Sequence, residues 1–253
     1  MLTCPTMVPV LEAILKSQPV QSDDGSALPL HSAIGSEEGE LLQKLVMELQ
    51  PAVTLEVGLA YGISALFICE ALSRIDGARH IVIDPGQYSS WGGIGLANLE
   101  KAGFHSLVDF RCSESQIVLP QLAAQGVQID FAFIDGFHTF DHTLVDFFFV
   151  DKMLKPGGVV VFDDANWPGI HKVCKFIATN RGYRVRAALG GSKPTIGTRL
   201  LTLLAKRVSP LQRMLRHKFS EPDEQFGFSW NSEMMAFEKL EHDQRNWDFD
   251  RDF

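Results

Sequence analysis

From residue 53 to about residue 189, short apolar β-branched runs alternate with segments of helical periodicity. Six strands are predicted, over 53–58, 80–84, 107–112, 129–135, 158–163 and 183–189. Between them the apolar spacing changes to i, i+3, i+4, the mark of an amphipathic helix. In 64–75, for example, Ala65, Phe67, Ile68, Ala71, Leu72 and Ile75 are apolar. Strands that are apolar on both faces and separated by helices imply a parallel sheet covered on both sides. A seventh strand over 234–240 follows a long gap, and a helix over 37–49, capped by Ser36, precedes the first strand.

The chain therefore divides into an N-terminal extension, 1–35, and an α/β domain, 36–253. Within that domain 190–233 interrupts the pattern, and the charged tail 241–253 is expected to be irregular. Residues 199–208 and 211–218 read as short amphipathic helices hinged near Pro210. Compact domains rarely carry so long an interruption without a purpose, so 190–233 reads as a helical cap or partner-binding insertion.

Composition narrows the function. A chain of 253 residues, 45% of them hydrophobic, can bury a core without staples. Its cysteines, Cys4, Cys69, Cys112 and Cys174, form no C-x-x-C pair, which argues against a disulfide scaffold or a zinc centre. Cys69 and Cys112 lie in apolar runs and are expected in the core. Residues 1–16 lack the basic stretch of a secretory signal, and no apolar run nears the ~20 residues that span a bilayer. The expected location is cytoplasmic. A net charge of −8 argues against a nucleic-acid coat. The charge is uneven, however. Residues 190–220 carry Lys193, Arg199, Lys206, Arg207, Arg213, Arg216 and Lys218 with no acid, so this segment is +7 and the rest of the chain −15.

Three motifs carry chemistry. In Leu55-Glu56-Val57-Gly58-Leu59-Ala60-Tyr61-Gly62-Ile63-Ser64, a strand runs into a helix whose free N–H groups suit a ligand, and the glycines allow close approach. The spacing departs from G-x-G-x-x-G, which suits a ligand with no pyrophosphate. Asp84, 22 positions beyond Gly62, ends the second strand, where a carboxylate can accept ribose hydroxyls. Ile134-Asp135-Gly136-Phe137-His138 ends the fourth strand, and Leu154-Lys155-Pro156-Gly157-Gly158 turns into the fifth, which ends in Asp163-Asp164. Ligands of open α/β sheets sit at the carboxyl ends of the strands, at the topological switch point. Crowding Asp135, Asp163 and Asp164 there costs free energy unless a cation compensates, and three carboxylates suit Mg²⁺ or a similar ion.

These residues resemble class I S-adenosylmethionine-dependent methyltransferases, and within them the metal-dependent O-methyltransferases related to catechol O-methyltransferase and to bacterial sugar O-methyltransferases. The stretch LEVGLAYGISA (55–65) is similar to the catechol enzyme's glycine motif, Ser115-Gln116 followed by Pro120-Gln121-Leu122 to its adenine-binding turn, and LKPGG to a frequent signature of the superfamily. The resemblance covers about 32–189, plus the strand 234–240. It implies a doubly wound, mostly parallel seven-stranded sheet, the Rossmann-like methyltransferase fold, with a helical insertion before the last strand. It further implies that Glu56 and Gly58 line the donor's methionine and ribose, Gly62 and Ser64 lie near its carboxylate, Asp84 holds the ribose and Ser115 and Gln116 flank the adenine. Asp135, Asp163 and Asp164 would hold Mg²⁺ or Mn²⁺. His138 stands where the catechol enzyme has a Lys as general base; an unperturbed imidazole, with a pKa of about 6.5, would be mostly neutral at pH 7.

The expected function is methyl transfer from S-adenosylmethionine to a hydroxyl of a small molecule, a vicinal diol, catechol or sugar. The basic insertion points to an anionic acceptor, an acidic partner or the acidic tail. A homodimer or higher homo-oligomer is in keeping with the resemblance. Rival readings are metal-independent or RNA methyl transfer, a nicotinamide-dependent oxidoreductase, and a non-catalytic cofactor-binding module. Trp167 is a candidate wall for the acceptor and His142 a candidate contact, while Phe140, Phe147 and Phe148 are expected in the core.

Overall fold

The periodicity translates directly into a layered α/β sheet. The structure is a computed structural model that describes residues 33–190 and 232–253, with the short pieces 11–13, 20–21 and 27–28. Its sheet comprises β1 (Val53–Val57), β2 (Arg79–Ile83), β3 (Val108–Arg111), β4 (Ile129–Ile134), β5 (Leu154–Phe162), β6 (Tyr183–Gly190) and β7 (Ser232–Lys239). The order is β3-β2-β1-β4-β5-β7-β6. The first five strands are parallel, and β7 runs antiparallel to both neighbours. Order reverses between β1 and β4, which sets the switch point there.

Successive side chains of a strand point to opposite faces, so a strand apolar at every position feeds two cores. β4 shows this plainly: Phe131 and Phe133 enter one core, Ala132 and Ile134 the other. The first core packs under α1 (Ser36–Leu49), α2 (Ile63–Leu72) and α3 (Ile94–Lys101). The second packs under α4 (Ser115–Ala124), α5 (Phe140–Met153) and α6 (Pro168–Asn180). All ten residues of α2 are buried, as expected of a helix apolar on every side. Gly39 makes this possible, because a Cβ there would meet the Phe67 ring at 2.1 Å.

Four local expectations need correction. Helix α1 is capped by Gly35 rather than Ser36: the Glu38 carboxylate reaches back and accepts the Gly35 N–H at 2.6 Å, so the cap needs no side chain of its own. The LKPGG segment belongs to β5 from Leu154 onward, and a register shift between Ile129 and Phe131 on β4 accommodates the glycine-rich start. Cys112 is exposed, because β3 is an edge strand and its end is not covered. Phe148 is about half exposed on the outer side of α5 with the Lys152 ammonium over its ring, while Phe147 is buried.

The tail 241–253 is irregular, and Phe253 folds back edge-on against Phe176 of α6 at 5.2 Å. The helices expected at 199–208 and 211–218, and most of the extension, lie outside the described residues. Among the described residues, no helix is long and apolar enough to cross a membrane.

Candidate active site

The chain leaves β1 through a turn with unusual backbone. Gly58, Ala60 and Gly62 all have positive φ, at 94°, 46° and 78°. At Gly58 glycine is obligatory for a second reason: a Cβ would sit 2.0 Å from the Asp135 carbonyl oxygen. The glycine turn and the end of β4 are therefore in backbone contact, which brings the first two motifs together. Asp84 pins the turn from the side. One of its oxygens accepts the N–H groups of Leu59 and Ala60 at 3.0 and 2.9 Å, and the other accepts that of Gly86 at 2.7 Å. Asp84 thus shapes the glycine turn through its backbone contacts.

Glu56 is fully buried, with one oxygen taken by the Ser64 hydroxyl and the other by His80 Nε2 at 2.8 Å. It lies behind the loop. Gln87, which the sequence reading passed over, is also fully buried: its amide donates to the Ala60 carbonyl and accepts from the Gly95 N–H, both at 3.0 Å. Trp91 packs edge-on against Tyr61 at 5.1 Å, and Gly93 is the N-cap of α3, so this stretch serves the first core.

The acidic motifs converge as expected. His138 Nε2 lies 2.9 Å from Asp164 and 3.3 Å from Asp135. These are ion-pair contacts without hydrogen-bond alignment, and Nε2 is buried with no hydrogen-bond partner. Burial pushes Asp163 up to about 8, helped by the charges of Asp135, Glu38 and Asp164. Burial likewise raises Asp135, to about 6, against the pull of His138. Asp135 and then Asp164 hold the His138 imidazole protonated, up to about 10. This corrects the expectation of a mostly neutral histidine: two carboxylates beside one ring favour its charged form. Asp164 is not a helix cap; α6 is capped at Trp167, whose N–H bonds the Asp164 carbonyl.

Three clustered carboxyl groups form a donor set that suits a hard cation in its chemistry. Among the described residues, however, no three such ligands are arranged to hold a metal ion, and His138 supplies the compensating charge. Trp167 is half exposed and stacks near His138 with ring centroids 5.2 Å apart, and exposed Phe137 lies against His142 at 4.9 Å. A cavity of about 270 Å³ between β3 and α4, lined by Phe110, Cys112, Ile117 and Gln121 among others, includes none of the clustered acids.

A glycine turn at a switch point beside a ring of carboxylates invites comparison with known proteins. A family described as a methyltransferase domain matches residues 55–165. Caffeoyl-CoA O-methyltransferase of Stellaria longipes is 30% identical over 138 residues, covering 52% of this chain and 53% of that protein. Catechol O-methyltransferase of Bos taurus is 27% identical over 151 residues, covering 58% and 53%. Residues 55–165 are thus similar to a methyltransferase domain, and the relatives that share this similarity are O-methyltransferases. The chain spans about half the length of the curated relatives it matches. The fold agrees: the O-methyltransferase from Bacillus cereus in complex with SAH superposes with a TM-score of 0.59 at 19% identity, covering 83% of this chain and 84% of that one.

Ser115 opens α4 and is half-buried beside Asp146, whereas Gln116 is exposed and donates to Glu114 at 2.7 Å. Asp146, in α5, is 2% exposed, and its Oδ1 has no hydrogen-bond partner. Burial lifts it to about 6. A carboxyl raised in the folded state contributes stability below its unfolded pKa of about 3.8, and that contribution is lost as the pH rises through about 6. Asp146→Asn is therefore expected to stabilise the domain by roughly 1–3 kcal/mol near pH 7.5. The gain should fade between about pH 6 and pH 4 in denaturant titrations. A pH-independent difference would contradict the assignment.

Proposed function

We propose that this protein transfers a methyl group from S-adenosylmethionine to a hydroxyl oxygen of a small molecule carrying vicinal hydroxyls, such as a catechol or a sugar. The observation that carries the reading is the meeting of Asp135, His138 and Asp164 at the switch point, in backbone contact with the glycine turn. The catechol and caffeoyl-CoA names of its relatives support a vicinal-hydroxyl acceptor.

The donor fits the strand ends around the turn. The Gly58–Gly62 turn and the N-terminus of α2 receive its methionine part, while Asp84 and the Ser115 end of α4 face its nucleoside. The acceptor enters on the Asp135–Asp164 side, walled by Trp167 and Phe137. Its oxygen attacks the methyl carbon, the carbon–sulfur bond breaks and S-adenosylhomocysteine leaves. The donor arrives activated, so the protein contributes mainly alignment and a proton acceptor. A divalent ion held by Asp135, Asp163 and Asp164 would lower the pKa of a coordinated hydroxyl. Were those carboxylates compensated by a cation, His138 would no longer be held protonated, and its Nε2 would be able to take the acceptor's proton. The basic segment 190–220, which beyond Gly190 lies outside the described residues, would favour an anionic acceptor.

His138→Ala is expected to lower kcat by about 10²-fold or more, the usual worth of a general base, with donor affinity unchanged. EDTA should abolish turnover and Mg²⁺ or Mn²⁺ restore it. A second reading is metal-independent transfer, favoured by His138 already reaching both carboxylates. Full activity in EDTA would establish it, and wild-type turnover in His138→Ala would remove the base from the metal-assisted scheme.

A further inference from the structure

Behind the donor loop runs a buried polar chain that the reaction scheme does not use. The Thr54 hydroxyl is 2.8 Å from His80 Nδ1, His80 Nε2 is 2.8 Å from Glu56, and the other Glu56 oxygen accepts the Ser64 hydroxyl. Thr54, His80 and Glu56 are fully buried, and Ser64 is nearly so. The strand register imposes the first contact, because Thr54 of β1 pairs directly with His80 of β2. One tautomer satisfies every group: the Thr54 hydroxyl donates to Nδ1, Nε2–H donates to Glu56, and the Ser64 hydroxyl donates to Glu56. The Thr54 hydroxyl also lies 3.4 Å from the Arg79 carbonyl, at the limit of a hydrogen bond, so the shorter contact sets the direction.

We infer that Thr54 and His80 are positioning residues for the methyl donor, acting through Glu56 on Ser64 and the glycine turn. The inference rests on the donor reading given above. β2 grips the turn from two sides. From its carboxyl end Asp84 holds the Leu59 and Ala60 amides. From its amino end His80 holds Glu56, which ties down Ser64 in the first turn of α2. The first N–H groups of a helix have no intrahelical acceptor and suit a carboxylate such as that of the donor's methionine. Their direction depends on where the first turn of α2 is anchored. Without His80 one oxygen of a fully buried carboxylate loses its donor, and the carboxyl must rotate or take up a proton. Ser64 and the turn would then move with it. A buried group that fixes a ligand-holding group in this way sets affinity without touching the ligand.

Calorimetric titration of the full chain with S-adenosylhomocysteine, alongside melting curves, tests this. His80→Leu should weaken binding by about 10-fold or more, and His80→Gln, which keeps an N–H donor, should return it to within about 3-fold. Ser64→Ala should weaken binding as well, and adding it to His80→Leu should cost little more, because groups acting as one unit are non-additive. kcat at saturating donor should change much less than donor KM. If His80→Leu does not fold, Thr54→Val carries the test, with a weakening of about 3-fold expected from the unfixed ring. Lower melting temperatures with wild-type affinity in these variants, or additive effects in the double variant, would make the chain purely structural and overturn the inference. Failure of the wild-type protein to bind S-adenosylhomocysteine would instead overturn the donor reading itself.

Discussion

Gly58→Ala is expected to abolish donor binding and to cost roughly 2–4 kcal/mol of stability, combining a left-handed non-glycine residue with an overpacked contact. Both terms arise at one atom. The backbone at Gly58 has φ of 94°, and the new Cβ would sit 2.0 Å from the Asp135 carbonyl oxygen. Backbone cannot swing aside as a flexible side chain can. β1 and β4 must separate at their carboxyl ends, and these ends carry the glycine turn and the Asp135–His138 segment. Displacement of about 1 Å at such a site commonly costs about 100-fold in rate. Calorimetry with S-adenosylhomocysteine and urea unfolding measure the two effects. Wild-type affinity in Gly58→Ala would show that the turn does not cradle the donor. Gly77→Ala makes a useful comparison, because Gly77 has φ of 72° but no atom within 4 Å of the added Cβ, so it isolates the backbone term.

Lys239→Met is expected to be the most destabilising single change away from the site. The Lys239 ammonium is 1% exposed in β7 and donates to the carbonyls of Asp151 and Leu154 at 2.5 and 2.9 Å, where α5 passes into β5. It also lies 3.2 Å from the Asp151 carboxylate, which is held in addition by Arg181 and by the Tyr183 hydroxyl. Arg181 in turn contacts Asp243 of the tail at 2.8 Å, so one buried network joins α5, β5, β6, β7 and the C-terminal segment. Methionine fills the volume but leaves two carbonyls without donors and shifts the charge balance around Asp151. Breaking a buried pair of this kind typically costs about 3–5 kcal/mol. Melting curves and urea titrations read the loss directly, and methyl transfer at low temperature should survive. A loss below about 1 kcal/mol would mean that Arg181 and Tyr183 suffice for Asp151.

Much of this architecture is legible in the sequence, for an identifiable reason. Burial on both faces makes each central strand apolar at every position, so β1, β4 and β5 stand out from the helical segments between them. Placing Asp135, Asp163 and Asp164 together follows from the same argument, since all three end neighbouring parallel strands. The rule fails where local signals conflict with pairing. Pro156-Gly157-Gly158 reads as a turn, yet β4 holds Leu154 in register and draws the segment into β5. Burial at edges is also hard to read: Cys112 and Phe148 have apolar neighbours but nothing packed over them. The roles of Glu56 and His138 depend on partners distant in sequence. His80 is 24 residues from Glu56, and its position in an apolar strand is a signal that a partner must exist, though not which one. Similarly, the raised pKa of His138 follows from Asp135 and then Asp164 lying 3.3 and 2.9 Å away, distances that only the folded chain sets.

The central claim is that the glycine turn and the Asp135–His138–Asp164 cluster form one methyl-transfer site. Its most direct test is product analysis by mass spectrometry after incubating the full chain with S-adenosylmethionine, Mg²⁺ and a panel of catechols and glycosides. The expected result is an acceptor that gains a single methyl on oxygen, with S-adenosylhomocysteine formed in equal amount and both products lost in His138→Ala. Absence of S-adenosylhomocysteine across the panel, together with binding of a nicotinamide dinucleotide in place of the methyl donor, would contradict it.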